Sequence, residues 1–303
     1  MSLSLPSQIH CPLSPRIAIF QRTDTINANA HLIATDASIL HEGKRHTTFR
    51  ATLTRKGQKD GEEERGVKNG VRWWNPYYRP RQVVCKIATT PWAIELLQNE
   101  ASVYHQLKKL QGKCIPLFHG LFEGFMQGMP AACIVLDYCG VPLKVTLDRV
   151  NKNLLKKVVD AAMAVHKAGI MHRDLVERNI VILDGRPFII DFESAIPHEC
   201  LAPKIFIGGP RPYKFEFKCD ELYWFCGDEV ADLWSPGRVY YFEQPVPIKY
   251  ALESAEKLAE QAPKDTPEEL ALLEAKVAMC QLARDLEGYW KKYDSRLPLS
   301  KCF

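Results

Sequence analysis

The chain has 303 residues, of which 46% are hydrophobic and 25% are charged, and its net charge is +4 at pH 7. A chain of this size and composition can bury one large core, or two lobes that share a cleft. The basic residues are scattered instead of forming a stripe with interleaved aromatics, and no apolar run approaches the roughly 18 residues of a membrane span, so neither nucleic-acid nor membrane partners are indicated.

At the N-terminus, residues 1–30 are rich in serine and proline and lack the basic start and apolar core of a secretory signal. We predict that they form a disordered tail. The ten cysteines are spread over the chain without a CxxC pair, so no zinc site and no disulfide framework is predicted. Reduced thiols and the missing signal are typical of a cytoplasmic or nuclear protein.

The segment 31–139 is predicted to be rich in β-strands. Strand-like patches flank Gly43, and residues 82–88 form an apolar run that is typical of a buried strand. Between these strands, the charged and glycine-containing residues 55–72 predict an exposed, mobile insertion. A further buried strand over residues 132–138 closes the segment.

One helix is predicted inside this strand-rich segment. Thr90 can cap its N-terminus, and Pro91 fits its first position. Glu100 lies at helical spacing from Leu97 and Tyr104, on the inward apolar face. A carboxylate in that position needs a partner.

The segment 140–303 is predicted to be mainly helical. An amphipathic helix covers residues 154–166, and residues 180–190 read as a hairpin around an Asp-Gly turn. A capping box at residues 266–269, with proline in the first turn, opens a helix near the C-terminus. The predicted apolar side of that helix contains Leu270, Leu273, Val277, Leu282 and Leu286.

Two motifs carry the chemistry of the chain. Residues 172–179 match the pattern H-R-D-L-x-x-x-N, and a D-F pair begins at Asp191, twelve residues beyond Asn179. Phosphoryl transfer needs a carboxylate beside the incoming hydroxyl, and an amide and a second carboxylate that hold magnesium. In this order, and joined by a hairpin pattern, the motifs resemble the catalytic loop and the metal-binding carboxylate of the protein-kinase family.

The resemblance covers residues 31–235 and implies a fold. The implied architecture is an α+β, two-lobed protein-kinase-like fold, with a small β-rich N-lobe (31–139) and a mainly helical, reduced C-lobe (140–303). No A-P-E sequence follows the D-F pair to close an activation segment. This compact second part resembles atypical protein kinases, aminoglycoside-type small-molecule phosphotransferases and compact kinase-like proteins predicted in fungi.

The resemblance also implies the cofactors ATP and Mg²⁺ and a set of nucleotide-binding residues. Lys86 would hold the α- and β-phosphates with Glu100 as its partner, and Gly43 would belong to the phosphate-covering loop. Asp137 and Cys139 would belong to the hinge that binds adenine through backbone groups. Since only one of three expected glycines remains, an ordinary hairpin turn explains the loop about as well, and a core strand with a loop describes the hinge equally well.

For catalysis, the resemblance implies four residues. Asp174 would accept or orient the proton of the substrate hydroxyl, while Asn179 and Asp191 would bind Mg²⁺. Val176 stands where serine/threonine kinases carry a lysine, and Arg178 would provide the missing positive charge near the transferring phosphate. His172 and Arg173 are expected to build the loop without reacting.

The leading interpretation is an ATP- and Mg²⁺-dependent phosphotransferase that acts on a hydroxyl of a protein substrate. Two alternatives remain open. A small-molecule kinase is favoured by the short activation segment. A pseudokinase that acts as a binding module is favoured by the degraded glycine loop and by Glu193, which stands where glycine normally follows D-F. The sequence identifies neither the phosphoacceptor nor the oligomeric state.

Overall fold

The computed structural model describes residues 2–5, 19–22, 31–55, 66–68, 71–73, 80–230 and 233–294. Two compact units are present. The sheet unit comprises Met1–Gly140 and Phe188–Ile196, and the helical unit comprises Val141–Pro187 and Pro197–Phe303. The chain is therefore a mixed α+β protein with a sheet-rich N-terminal part and a helical C-terminal part, which is consistent with a kinase-like fold.

The first nine strands lie in the sheet unit. They are β1 (Ser2–Ser4), β2 (Ile19–Arg22), β3 (His31–Glu42), β4 (Thr47–Arg55), β5 (Gly66–Lys68), β6 (Val71–Trp73), β7 (Arg81–Ala88), β8 (Phe118–Met126) and β9 (Met129–Asp137). Seven of them form a closed barrel of order β1-β2-β8-β9-β7-β4-β3. In it, β3 and β1 pair in parallel and all other neighbours are antiparallel.

Alternate residues of the barrel strands form its core. Val83, Cys85 and Ile87 of β7 are buried inside, together with three alternate residues each of β4 and β9. Because successive side chains of a strand point to opposite faces, Lys86 leaves β7 on the outer face of the barrel. The buried strand predicted over residues 82–88 thus positions one lysine outside an apolar core.

The structure differs from the predicted disordered tail at two short segments. β1 and β2 lie within residues 1–30, where the other described residue is Leu5. Leu3 and Leu5 are almost completely buried in the barrel core. Serine and leucine alternate in residues 2–5, which is the pattern of a strand with one apolar face. That face is the one buried in the barrel.

The predicted insertion at 55–72 lies largely outside the described residues. Its described part includes β5, which pairs with β6 in antiparallel register, Gly66 opposite Trp73. The expectation of an exposed, mobile segment therefore stays a prediction.

The long helix α1 (Pro91–Gln106) belongs to the sheet unit. The Thr90 side chain accepts a hydrogen bond from the backbone N–H of Ala93, as the predicted N-cap requires. Leu97, Glu100 and Tyr104 are all buried, so the inward face carries the predicted carboxylate.

The helical unit contains the other helices and strands given below, although the boundary between the two units falls within β13 and within β14. The strands are β10 (Val141–Pro142), β11 (Ile170–Met171), β12 (Ile180–Leu183), β13 (Arg186–Ile189), β14 (Ile196–Pro197), β15 (Arg238–Tyr241) and β16 (Gln244–Pro247). The α-helices are α2 (Lys152–Lys167), α3 (Lys214–Phe217), α4 (Asp220–Trp224), α5 (Ile248–Glu253), α6 (Ala255–Ala259) and α7 (Glu268–Asp294), and a π-helical turn (Phe225–Glu229) follows α4.

The Asp-Gly turn has the backbone that a tight hairpin needs. Asp184 and Gly185 have φ angles of 50° and 69°. Positive φ at both central residues is typical of a type I′ turn, which matches the twist of the flanking strands. The hairpin that this turn closes connects the catalytic-loop motif, which ends at Asn179, to the D-F pair, which begins at Asp191.

The prediction for the apolar side of α7 is wrong at three positions. Leu270, Leu273 and Val277 are 43%, 58% and 55% exposed. The prediction is confirmed at Leu282, which is buried, while Leu286 is partly buried. The other buried residues of this face are mainly small, namely Ala271, Ala275 and Ala278, together with Tyr289. Alanines let α7 approach α6 and β15 closely, and hydrophobicity alone did not identify this face. No helix of the described ranges is both long and apolar enough for a bilayer crossing.

Candidate functional site

The Lys86 side chain is the centre of an ionic cluster in the sheet unit. Its Nζ lies 2.8 Å from Glu100 Oε2, 2.6 Å from Asp191 Oδ1 and 3.4 Å from Glu193 Oε2. The structure therefore brings together the lysine of β7, the carboxylate of α1 and the first residue of the D-F motif. All of these contacts lie within one compact unit.

Burial and charge act in opposite directions on this cluster. Burial by itself would lower the pKa of Lys86, but Glu100 and Asp191 outweigh it and raise the pKa above its usual value. Burial raises the pKa of Glu100, and Lys86 opposes that shift. The lysine therefore stays charged, and Glu100 depends on it for compensation of its buried charge.

Glu193 is a further member of the cluster. From the sequence, this residue was noted only because it stands where glycine normally follows the D-F pair. Its carboxylate forms an ion pair with Arg45 in the β3–β4 turn and contacts Lys86. Its backbone carbonyl accepts a hydrogen bond of 3.0 Å from Asn99 of α1. Glu193 thus links the position of the missing glycine to the turn that was predicted to cover the phosphates.

The backbone at the D-F motif is held in an unusual conformation. Asp191 has φ of 70°, in the left-handed region that non-glycine residues rarely adopt. The next N–H, that of Phe192, donates to Glu100 Oε1 at 3.4 Å, and the Phe192 ring meets Tyr104 edge-on. Such strained residues cluster at functional sites, and here the buried contacts of Phe192 with Glu100 and Tyr104 help to maintain the strain.

The β3–β4 turn and the predicted hinge also lie in the sheet unit. The backbone N–H of Gly43 donates to the carbonyl of His46, which closes the turn between the two strands. Asp137 uses its carboxylate to bind Arg81 and His119, while its backbone N–H donates to the carbonyl of Leu117 at 2.8 Å. The N–H of Asp137 is therefore engaged within the barrel.

Cys139 follows the end of β9 and is buried. Adenine binding by the backbone of Asp137 and Cys139 stays a prediction.

The predicted catalytic loop forms a second cluster, which lies in the helical unit. Arg178 lies 2.6 Å and 2.7 Å from the two carboxylate oxygens of Asp174. Asn179 Nδ2 donates to the backbone carbonyl of Asp174 at 2.8 Å and to its Oδ2 at 2.9 Å. Both contacts arise in the single 3₁₀ turn Glu177–Asn179, which returns the chain to Asp174.

Glu221 of α4 fixes the start of this loop, a role that the sequence did not assign to it. Its carboxylate accepts hydrogen bonds from the backbone N–H groups of His172, at 2.8 Å, and Arg173. Arg173 has φ of 65°, so this loop, like the D-F motif, contains a non-glycine residue in the left-handed region. A carboxylate that receives two adjacent N–H groups can maintain this conformation.

His46 makes an acid-sensitive contact beside Glu193. Burial, and next the charge of Lys86, lower the pKa of His46 from 6.5 to about 4, although Asp191 and Glu193 oppose the shift. In the unfolded chain the His46 imidazole is protonated below about pH 6.5, whereas in the folded protein it is protonated only below about pH 4. Protonation therefore favours unfolding between pH 6.5 and 4.

We expect the free energy of unfolding of the wild type to fall between pH 6.5 and pH 4 relative to that of His46→Gln. Below about pH 4 the difference should become constant, since both states then bind the proton. Urea unfolding of the two proteins at several pH values measures this difference. Parallel stability curves across the window would contradict the account.

A scan against protein-family models matches residues 129–204 to the RIO domain. The matched span contains the predicted hinge, both motifs and the hairpin between them. No curated protein matches the sequence significantly. The RIO domain is an atypical protein-kinase-like family, so this match supports the resemblance to an atypical kinase-like superfamily that the motifs predicted.

Proposed function

We propose that the chain is an ATP- and Mg²⁺-dependent phosphotransferase with a two-lobed protein-kinase architecture. It transfers the γ-phosphate to a hydroxyl of a protein substrate, in the cytoplasm or nucleus, and has no nucleic-acid or membrane partner. The observation that carries the proposal is the buried lysine held by Glu100 and Asp191, at 2.8 Å and 2.6 Å. A strand lysine aimed at phosphates needs this kind of support, because it must stay charged while it is buried.

The available donor atoms suit Mg²⁺. Asp191 offers a carboxylate whose side chain is 28% exposed, so that a hydrated cation can approach it. Asn179 directs Nδ2 at Asp174, which leaves its amide oxygen as the atom for a metal. Magnesium prefers such hard oxygen ligands, and when bound it supplies neutralising charge to the phosphates.

Asp174 is the proposed base. Its carboxylate is oriented by Asn179 and Arg178, and its side chain is 35% exposed, so that a substrate hydroxyl can reach it. A fixed carboxylate within hydrogen-bond reach of a hydroxyl can accept or orient the proton during transfer. Lys86 and Gly43 would position the nucleotide phosphates, and Asp137 and Cys139 the adenine.

A second candidate is a non-catalytic binding module, and Glu193 is the observation that favours it. The Glu193 carboxylate contacts both Lys86, the proposed phosphate-binding lysine, and Arg45, which lies in the turn that would cover the phosphates. A carboxylate in that position competes with phosphate for both side chains. A protein of this kind would use its charged cluster for docking and would transfer no phosphate.

The acceptor class can be tested with purified protein, Mg²⁺ and γ-labelled ATP, alone, with generic protein substrates and with a panel of hydroxylated metabolites. We expect label on protein. Label on a metabolite alone would replace the protein acceptor by a small molecule and keep the phosphotransferase. Stabilisation by Mg·ATP without any transfer would support the binding module instead.

Arg178→Ala tests the predicted positive charge near the transferring phosphate. We expect turnover to fall about 10-fold or more while ATP affinity stays nearly intact, because the guanidinium is held by the carboxylate of Asp174 and its charge would act on the phosphate during transfer. Steady-state kinetics and nucleotide titration measure the two effects. Arg149→Ala, on a separate 3₁₀ turn of the helical unit, is a control. Unchanged turnover in Arg178→Ala would remove its proposed role.

A further inference from the structure

Four side chains with metal-binding atoms meet in the helical unit, and none of them is a proposed phosphotransfer residue. They are His166, His198, Cys200 and Cys219, and one ligand atom from each lies within 4.8 Å of all the others. Cys219 Sγ lies 3.6 Å from His166 Nδ1 and 3.6 Å from His198 Nε2. The two imidazole rings stand almost perpendicular, with centroids 5.3 Å apart.

These distances fit the edges of a zinc tetrahedron. Zinc bonds to sulfur and to imidazole nitrogen are about 2.3 Å and 2.0–2.1 Å long. For tetrahedral angles, these lengths place a sulfur and a nitrogen ligand about 3.5–3.6 Å apart. The two Sγ–N separations of 3.6 Å have this value, and all four ligand atoms lie within 4.8 Å of one another, so small side-chain adjustments would bring them to a cation.

We propose that His166, His198, Cys200 and Cys219 form a structural zinc site in this unit. Two histidines and two cysteines are a common donor set of closed, four-coordinate structural zinc sites. Zinc binding would release the protons of the two thiols, which become thiolate ligands, and would involve no oxidation or reduction.

The ligands come from three separate parts of the helical unit. His166 lies in the last turn of α2, Cys219 immediately precedes α4, and His198 and Cys200 lie in the segment after β14. His166 and Cys219 are buried, whereas His198 and Cys200 are partly exposed, so an ion can enter from the side of that segment. One zinc ion would therefore join a helix end, a helix start and an irregular segment.

A carboxylate stands behind the proposed ligand His166. With Nδ1 facing Cys219, the opposite ring atom Nε2 lies 2.7 Å from Glu221 Oε2. Nε2 makes no hydrogen bond of good geometry, so this contact is primarily electrostatic. Metal-binding histidines commonly present the other ring nitrogen to a carboxylate, which fixes the ring and its tautomer.

Glu221 also connects the proposed zinc site to the catalytic loop. The same carboxylate accepts hydrogen bonds from the backbone N–H groups of His172 and Arg173. Zinc would fix the end of α2 and the start of α4. Glu221 of α4 would then hold the loop that carries Asp174 through its hydrogen bonds to the loop backbone. Glu221 is in this sense a positioning residue.

Zinc content tests the proposal directly. The full-length protein, purified without chelators and equilibrated with excess zinc followed by desalting, should retain about one zinc ion per chain in elemental analysis. Cys219→Ser and His198→Gln should lose the ion, whereas Cys280→Ser, which removes an exposed cysteine of α7, should retain it. Because the His198 side chain is partly exposed, we expect His198→Gln to fold even if the buried substitution Cys219→Ser does not. The proposal can then still be tested with His198→Gln.

A second readout separates a specific site from loose binding. Chelation should lower the melting temperature of the wild type and of Cys280→Ser but leave that of His198→Gln unchanged. Cobalt in place of zinc should give the visible absorption of a tetrahedral thiolate site, which His198→Gln lacks. Protein that stays metal-free after equilibration, equal zinc content in all variants, or a Cys200–Cys219 disulfide in the purified protein would overturn the proposal.

Discussion

Lys86→Met is expected to destabilise the protein by about 3–5 kcal/mol and to abolish its stabilisation by Mg·ATP. The first effect follows because Glu100 would remain buried, with 1% of its side chain exposed, after losing its 2.8 Å partner. Breaking a buried ion pair by removing one member leaves an uncompensated charge, which costs this much in general. The second effect follows from the proposed contact between Lys86 and the nucleotide phosphates.

A double variant separates these two effects. Lys86→Met with Glu100→Leu removes both charges and should recover most of the lost stability, yet it should still fail to respond to Mg·ATP. The wild type should gain about 2.7 kcal/mol at a ligand concentration of 100 Kd. Lys109→Met, which changes an exposed lysine of the same unit, is the matched control. A double variant with a wild-type response to Mg·ATP would show that Lys86 does not bind the nucleotide.

Asp174→Asn is expected to lower turnover about 10²–10⁴-fold, which is the usual contribution of a positioned acid or base. The substitution retains the size of the side chain but removes the charge that binds Arg178 and the basicity that the hydroxyl needs. Nucleotide affinity should change little, since no proposed phosphate contact involves Asp174.

Asp160→Asn is a suitable control for Asp174→Asn. Asp160 forms an exposed ion pair of 2.5 Å with Lys156 at the same i, i+4 spacing, on α2 of the same unit. The Asp160→Asn substitution therefore removes a surface ion pair without changing the catalytic loop, and the turnover of this variant should equal that of the wild type. Equal losses in both variants would point to a general effect of charge.

Local patterns predicted those parts of the structure that depend on neighbouring residues. The buried strand β7, the Thr90 cap and the Asp-Gly turn each have their cause within a few residues of the chain. The partner of Glu100 could also be predicted, because a carboxylate on an apolar helix face must be compensated and the kinase resemblance supplied the lysine.

Features that depend on distant residues could not be predicted in this way. Glu193 was seen only as a missing glycine, since its partners Arg45 and Lys86 lie more than a hundred residues away in the chain. The α7 face was misjudged because packing favoured small alanines over exposed leucines. The proposed zinc ligands also escaped the search for CxxC pairs, because folding brings Cys219 to His166 from 53 residues away.

Phosphate transfer from γ-labelled ATP in the presence of Mg²⁺, compared between the wild type and Asp174→Asn, tests the central claim most directly. We predict Mg²⁺-dependent label on a protein acceptor with the wild type, and a loss of about 10²–10⁴-fold in the variant while both proteins retain their response to Mg·ATP. Equal incorporation of label by the two proteins, or none by the wild type across protein and metabolite acceptors, would contradict a phosphotransferase that acts through Asp174.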